Sequence, residues 1–354
     1  MPDDRHLVAA DDSGELRQWS IDRGQEVTRA AMKANGTVYA IALSMDGRWI
    51  VSGDSGNKVI VWNADTHRIA LQITDHTEYV YAVDISSDST QIASGSQDYT
   101  VQIFNIISGA RAAPPIHHNS IVVGVKFSPD GTRIATCTFL RESVRIHDTH
   151  SGNKLFDIPV KVTWTPISPL AWSSDGRHLF VGSPGKITSL DTFTSSHSDW
   201  PVQNRADNVS IATRGQLIAY SAGSSVSFWD YTSRQQVGSI IDHARAVNCI
   251  SISHNGRHFA CGHDQGITVH NLGDFPPLNY IYITRAPLMQ VTEAALESWT
   301  LGNPAGTETI LSEEIARCSD PNHYALAARS LIRSHLRAWE TAIEDAEMVT
   351  LSIP

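Results

Sequence analysis

Histidine is the residue type best supplied for chemistry in this chain, with 16 among 354 residues. The closest groupings are His117-His118 and the His147-Asp148-Thr149-His150 run. A zinc ion needs three or four nitrogen, sulfur or carboxylate ligands that converge, and adjacency in sequence does not make these side chains converge. Structural roles are therefore expected for these histidines, and no metal. The four cysteines, Cys137, Cys249, Cys261 and Cys318, have no CxxC spacing and read as free thiols. Serine and aspartate are abundant, but Asp46, Asp88, Asp130 and Asp175 sit in Ser-containing turns, where a carboxylate bonds its own backbone. Gly182-Ser183-Pro184-Gly185 lacks the spacing of a nucleophile elbow, and no glycine-rich phosphate loop occurs. The residues thus predict no catalytic set and no cofactor.

The elements that hold these residues recur. Between Asp75 and Asn105, alternating runs at Val80 to Ile85, Gln91 to Ser94 and Thr100 to Phe104 are separated by turn residues, the pattern of half-buried strands. The closing pair of that unit has counterparts at Trp19-Ser20, Trp62-Asn63, His147-Asp148, Leu190-Asp191, Trp229-Asp230 and His270-Asn271. The successive intervals are 43, 42, 43, 43, 39 and 41 residues. Turns at Ser44-Met45-Asp46-Gly47, Ser86-Ser87-Asp88, Ser128-Pro129-Asp130-Gly131, Ser173-Ser174-Asp175-Gly176 and Ser253-His254-Asn255-Gly256 keep the same phase. A period of this length built from short strands predicts an all-β propeller with seven blades.

Over roughly residues 5 to 284 the chain resembles the WD40-repeat family. Blade three carries the resemblance best, with His76, Ser94, Asp98 and Phe104 at the family's His, Ser/Thr, Asp and Trp places. The resemblance implies a buried hydrogen-bond relay there, one donor short because Phe104 has no indole N–H. Blade seven keeps His243 and Asp264, with His270 at the Trp place, and blade two has Gly56 at the Asp place. The resemblance also implies a protein-binding rim at the starts of the innermost strands and the turns before the third strands. In this chain those residues are Thr37, Tyr39, Tyr79, Tyr81, Gln97, Ile121, Val123, Asn248 and His263, with Tyr79 and Tyr81 the leading pair.

Blade one, with strands at His6 to Ala10 and Glu15 to Ser20, has no upstream sequence for an innermost strand. Either Pro287 to Ala294 returns to fill that place or the place stays weak. Residues 285–318 read as a linker with a short helix from Thr309 to Cys318. Residues 319–354 read as a helical hairpin: Ser319-Asp320-Pro321 starts it, and Tyr324, Ala328, Leu331, Ile332 and Leu336, then Trp339, Ala342, Ile343, Ala346 and Val349, follow helical steps. This tail resembles a single tetratricopeptide repeat, in keeping with Trp339, Ala342, Ala346 and Pro354. The expected architecture is therefore a seven-bladed WD40 propeller followed by a short α-helical tail.

Charge narrows the partners. The net charge is −10, of which residues from Arg285 onward contribute −5 through ten acids against five arginines. Phosphate backbones are bound by concentrated Lys and Arg, so nucleic acid is not expected. No apolar run approaches the roughly 20 residues of a membrane helix, and the first residues lack a signal's apolar core. The reading is a non-catalytic scaffold for proteins or peptides in the cytoplasm or nucleus, contacting them on the rim and through the tail. The alternative is a small-molecule or hydrolytic site at the central opening.

Overall fold

The computed structural model describes residues 1–274 apart from 2, 29–30, 140–143, 159, 161–168, 204 and 265, together with 308–309 and 311–312. The chain divides into two units, Met1–Asn271 and Leu272–Pro354. The first unit is all β. Blade one comprises β1 (His6–Ala10), β2 (Glu15–Ser20), β3 (Gln25–Glu26) and β4 (Met32–Lys33). Blade two is β5 (Val38–Leu43), β6 (Trp49–Asp54), β7 (Val59–Asn63) and β8 (Ile69–Ile73). Blade three follows with β9 (Val80–Ile85), β10 (Gln91–Ser96), β11 (Thr100–Asn105) and β12 (Ile116–His117). Blade four contains β13 (Val122–Phe127), β14 (Arg133–Thr138), β15 (Val144–Asp148) and β16 (Lys154–Ile158). Blade five has β17 (Leu170–Trp172), β18 (His178–Ser183), β19 (Lys186–Asp191) and β20 (Ser196–Pro201). Blade six is built from β21 (Val209–Arg214), β22 (Leu217–Ala222), β23 (Ser225–Asp230) and β24 (Gln235–Asp242). Blade seven shows β25 (Cys249–Ile252), β26 (His258–His263) and β27 (Gly266–Asn271).

Blades two to six are four-stranded antiparallel meanders in chain order. Their first strands contact the first strands of adjacent blades from β5 through β25, which places them around the axis. The period explains this wrapping. A four-stranded sheet of alternating residues exposes an apolar face on each side, and only another such sheet on each side covers both. The core is accordingly divided among the seams. One cluster joins Val51, Val59 and Val61 of blade two to Val80, Ile92 and Phe104 of blade three. Another joins Ala135, Val144 and Ile146 of blade four to Leu170, Leu179 and Val181 of blade five. Each fully buried aliphatic side chain stabilises such a seam by about 1.5–3 kcal/mol.

The Ser-containing turns are built alike. Ser44 and Ser86 donate to the carboxylates of Asp46 and Asp88 at 2.6 Å, and Ser253 donates to the amide oxygen of Asn255 at 2.8 Å. Each acceptor also receives a backbone N–H two residues on, as Asp46 does from Arg48 and Asn255 from Arg257.

In blade one, β1 forms a hairpin with β2, and β3 and β4 both pair with the far edge of β2. The outer edge of this blade thus consists of two short pieces. Because Trp19-Ser20 ends β2 as Trp62-Asn63 ends β7, the blade-one hairpin corresponds to second and third strands. Among the described residues no first strand lies beside β1. The proposed filling segment, 287–294, is outside the described residues, as is the helical hairpin of 319–354. Of the predicted 309–318 helix, Thr309, Leu311 and Ser312 are described and are helical.

Candidate recognition face

The relay residues of blade three meet. β10 and β11 run antiparallel, which sets Ser94 opposite Gln102, and the loop before β9 brings His76 over them. The imidazole Nε2 lies 2.7 Å from Ser94 Oγ and Nδ1 lies 2.7 Å from Asp98 Oδ2. Asp98 also accepts from the hydroxyl of Thr100 at 2.6 Å and the backbone N–H of Thr77 at 3.2 Å. Burial alone would raise the Asp98 carboxyl, but the hydrogen bonds from His76 and Thr100 outweigh it and hold it far below the usual carboxylate range. Phe104 is fully buried and donates nothing, whereas in blade two the indole of Trp62 donates to Ser52 Oγ at 2.9 Å. Blade two also replaces the missing carboxylate at Gly56. Asp54, at the end of β6, accepts the N–H groups of Gly56 and Lys58.

Blade seven differs from the expected relay. Asp264 accepts from the amide of Asn248 at 2.6 Å, and among the described residues the His243 Nε2 atom has no hydrogen-bond partner. The physical cause lies in β26, where Cys261 stands at the place of Ser94 and so offers no hydroxyl. The His243 ring packs instead against His263 and His270, with centroids 4.9 and 5.2 Å away. Burial, reinforced by the neighbouring His263 and His270, lowers its pKa.

On the rim, three tyrosines come together across two blades. Ring centroids are 4.7 Å apart for Tyr39 and Tyr81, 6.2 Å for Tyr39 and Tyr79, and 6.3 Å for Tyr79 and Tyr81. β-Bulges place two of them: the β5–β6 register slips between Val38 and Ala40, and the β9–β10 register slips across Tyr81. A bulged residue leaves the ladder and its side chain is re-aimed. Tyr81 is the more enclosed, with its phenol donating to Gln97 at 2.9 Å, while Tyr79 is 39% exposed. Burial, with neighbouring tyrosines, raises the Tyr39 and Tyr81 phenols, so these two stay uncharged at neutral pH. Thr37 anchors the adjoining loop by donating to the carbonyl of Asp12 at 2.9 Å.

The remaining expected rim residues do not join this cluster. Val123 occupies the same bulge position in β13, yet it is only 1% exposed and packs with Cys137 and Val144 in the seam toward blade five. A short apolar side chain turned into the seam buries its surface there, whereas a tyrosine keeps its hydroxyl near water. Val123 is therefore a core residue, which corrects its assignment to the binding rim. Ile121 packs partly buried on the same cluster. Asn248 also accepts from Asn208 of blade six, and His263 lies 3.0 Å from the carbonyl of Ala246, so both are engaged inside the propeller.

The central opening holds a cavity of about 370 Å³. Its lining includes Leu43, Lys126, Arg214 and Ile252 of four inner strands, with His6, His254 and His258. His6 is bound to Asp3 at 2.5 Å, and Lys126 to Asp84 at 2.6 Å. Among the described residues no group of three or more His, Cys, Asp or Glu is placed to hold a metal ion. Burial raises the thiols of Cys137, Cys249 and Cys261, the last to about 12, which keeps them protonated and poorly nucleophilic. The His118–His147 contact across blade four was not legible in the sequence. The rings lie 5.6 Å apart, and burial, then His147 and Arg145, lowers the pKa of His118 to about 3.

Comparison with known proteins agrees with this geometry. Residues 27–63, 68–105, 115–148 and 234–271 match the family described as WD domain, G-beta repeat. The chain carries WD40 repeats folded as a seven-bladed β-propeller, an architecture typically used as a protein-interaction scaffold. Among curated proteins it is similar to the nuclear distribution protein nudF of Emericella nidulans, 26% identical over 77 residues. That match covers 22% of this chain and 17% of the length of nudF.

Proposed function

We propose that the protein is a non-catalytic scaffold that binds other proteins or peptides on the rim of its propeller, centred on Tyr39, Tyr79 and Tyr81. The supporting observation is the three-ring cluster spanning blades two and three, with Tyr79 turned to solvent. Aromatic side chains that combine apolar area with a polar tip dominate many interfaces. The test is affinity capture with wild type beside a Tyr79→Ala/Tyr81→Ala double variant and a Tyr79→Ala single variant, each with matched melting curves. Partners retained by wild type and lost by folded variants support the rim. Recovery of the same proteins by all three overturns it.

A second reading, a small-molecule site at the central opening, draws on the cavity lined by Lys126, Arg214 and three histidines. Asp4 shares this lining, and an anion bound there would have to compete with Asp84 for Lys126. A saturable rise in melting temperature with millimolar inorganic phosphate, removed by Lys126→Ala, supports it, and an unchanged curve rejects it.

A further inference from the structure

We propose that the tyrosine cluster receives an arginine side chain presented by a partner peptide. This rests on the rim reading above and adds the chemistry of the ligand. Two acidic residues flank the rings. Glu78 immediately precedes Tyr79, and its charge reaches the Tyr81 phenol. Asp12 is held beside Thr37, two residues before Tyr39, by the hydrogen bond from the Thr37 hydroxyl to the Asp12 carbonyl. Asp12 and Glu78 are both exposed, and neither makes an ion pair among the described residues. The surface therefore offers aromatic rings with two uncompensated carboxylates at its margin.

A cation over an aromatic face is attracted by the negative π surface, and a carboxylate alongside adds a second attraction. Arginine satisfies both better than lysine. Its guanidinium is planar and weakly hydrated, so one face lies on the Tyr79 ring while its edge donates to a carboxylate. The net charge of −10 favours approach of a basic segment at low salt.

The test uses the full chain labelled with 3-fluorotyrosine and observed by fluorine NMR, with Tyr→Phe variants assigning the 39, 79 and 81 signals. The probes are the blocked tripeptides acetyl-Gly-Arg-Gly-amide and acetyl-Gly-citrulline-Gly-amide, which share shape but differ in charge. The arginine tripeptide should shift the Tyr79 and Tyr39 signals saturably, and the citrulline tripeptide should bind roughly two- to fivefold more weakly or not at all. Asp12→Asn/Glu78→Gln should weaken the arginine tripeptide by roughly two- to fivefold, and this loss should shrink at high salt. Tyr79→Leu should weaken it by a similar factor. Equal binding of both tripeptides, unchanged affinity in either variant, or no shift at all would overturn the proposal. Tyr79-dependent capture without a tripeptide shift sinks the arginine assignment alone. Tripeptide binding with Tyr79-independent capture sinks the rim reading alone.

Discussion

At the scale of single residues, His76, Ser94 and Asp98 act as a unit because each would otherwise leave a buried polar group unpaired. Ser94→Ala strands the His76 Nε2 atom and should lower stability by about 1–3 kcal/mol, read by urea unfolding. Asp98 adds a pH signature. Its carboxyl is held far below the ordinary 3.8, so the stability it confers is fully present above that value and is lost only as pH falls below it. The gap between wild type and Asp98→Asn should therefore stay constant from neutral pH to about 4 and narrow under stronger acid. His118 behaves oppositely to a paired histidine. It is neutral when folded, with its pKa down at about 3, while the unfolded chain takes up a proton near 6.5. Its contribution is complete above 6.5 and erodes as pH falls toward 3, so His118→Gln should flatten the melting temperature across that range. The relay of blade three was legible because residue type and spacing repeat. The failed relay of blade seven was not, since it turned on Cys261 lacking a hydroxyl at a place where only the position was read.

At the scale of elements, alternation and turn residues located most strands closely, and the predicted Val80 to Ile85 run coincides with β9. Side-chain direction was harder to read. A period-two pattern assumes an unbroken ladder, and the bulges at Tyr39, Tyr81 and Val123 break it at the very positions expected to form the rim. Two of those residues are tyrosines and gather with Tyr79, and the third turned into a seam. Glycine also acts at the element scale, in two distinct ways. Gly131 has φ of 70° in an open turn, so its role is conformational. Gly131→Ala should cost about 1–2 kcal/mol while Gly131→Asn, which tolerates that region, stays closer to wild type. Gly95 has ordinary φ, but an added Cβ would lie 2.6 Å from Cγ1 of Val122 in the next blade. Gly95→Ala should cost about 1–3 kcal/mol, and no residue with a side chain should rescue it.

At the scale of the whole propeller unit, the repeat interval was the most legible property of all, because seven similar sheets can cover one another's faces only in a ring. Ring closure was not legible, since it depends on single contacts far apart in sequence. The Asp4 carboxylate accepts the backbone N–H of Asn255 at 3.0 Å, tying the start of blade one to blade seven. Asp4→Ala should speed amide hydrogen exchange in β1 and β25 while leaving β9 to β11 unchanged. The close approach at Gly95 recurs at Gly53 and Gly182, where a methyl would sit 2.6 and 2.8 Å from Val80 and Val209. A wedge in a circular arch has an angle fixed by how closely its flanks meet, and small errors at each joint add around the circumference. Three joints machined to the same clearance by a missing carbon atom thus govern how many wedges complete the circle. A methyl group at one of them would be felt as far away as the keystone.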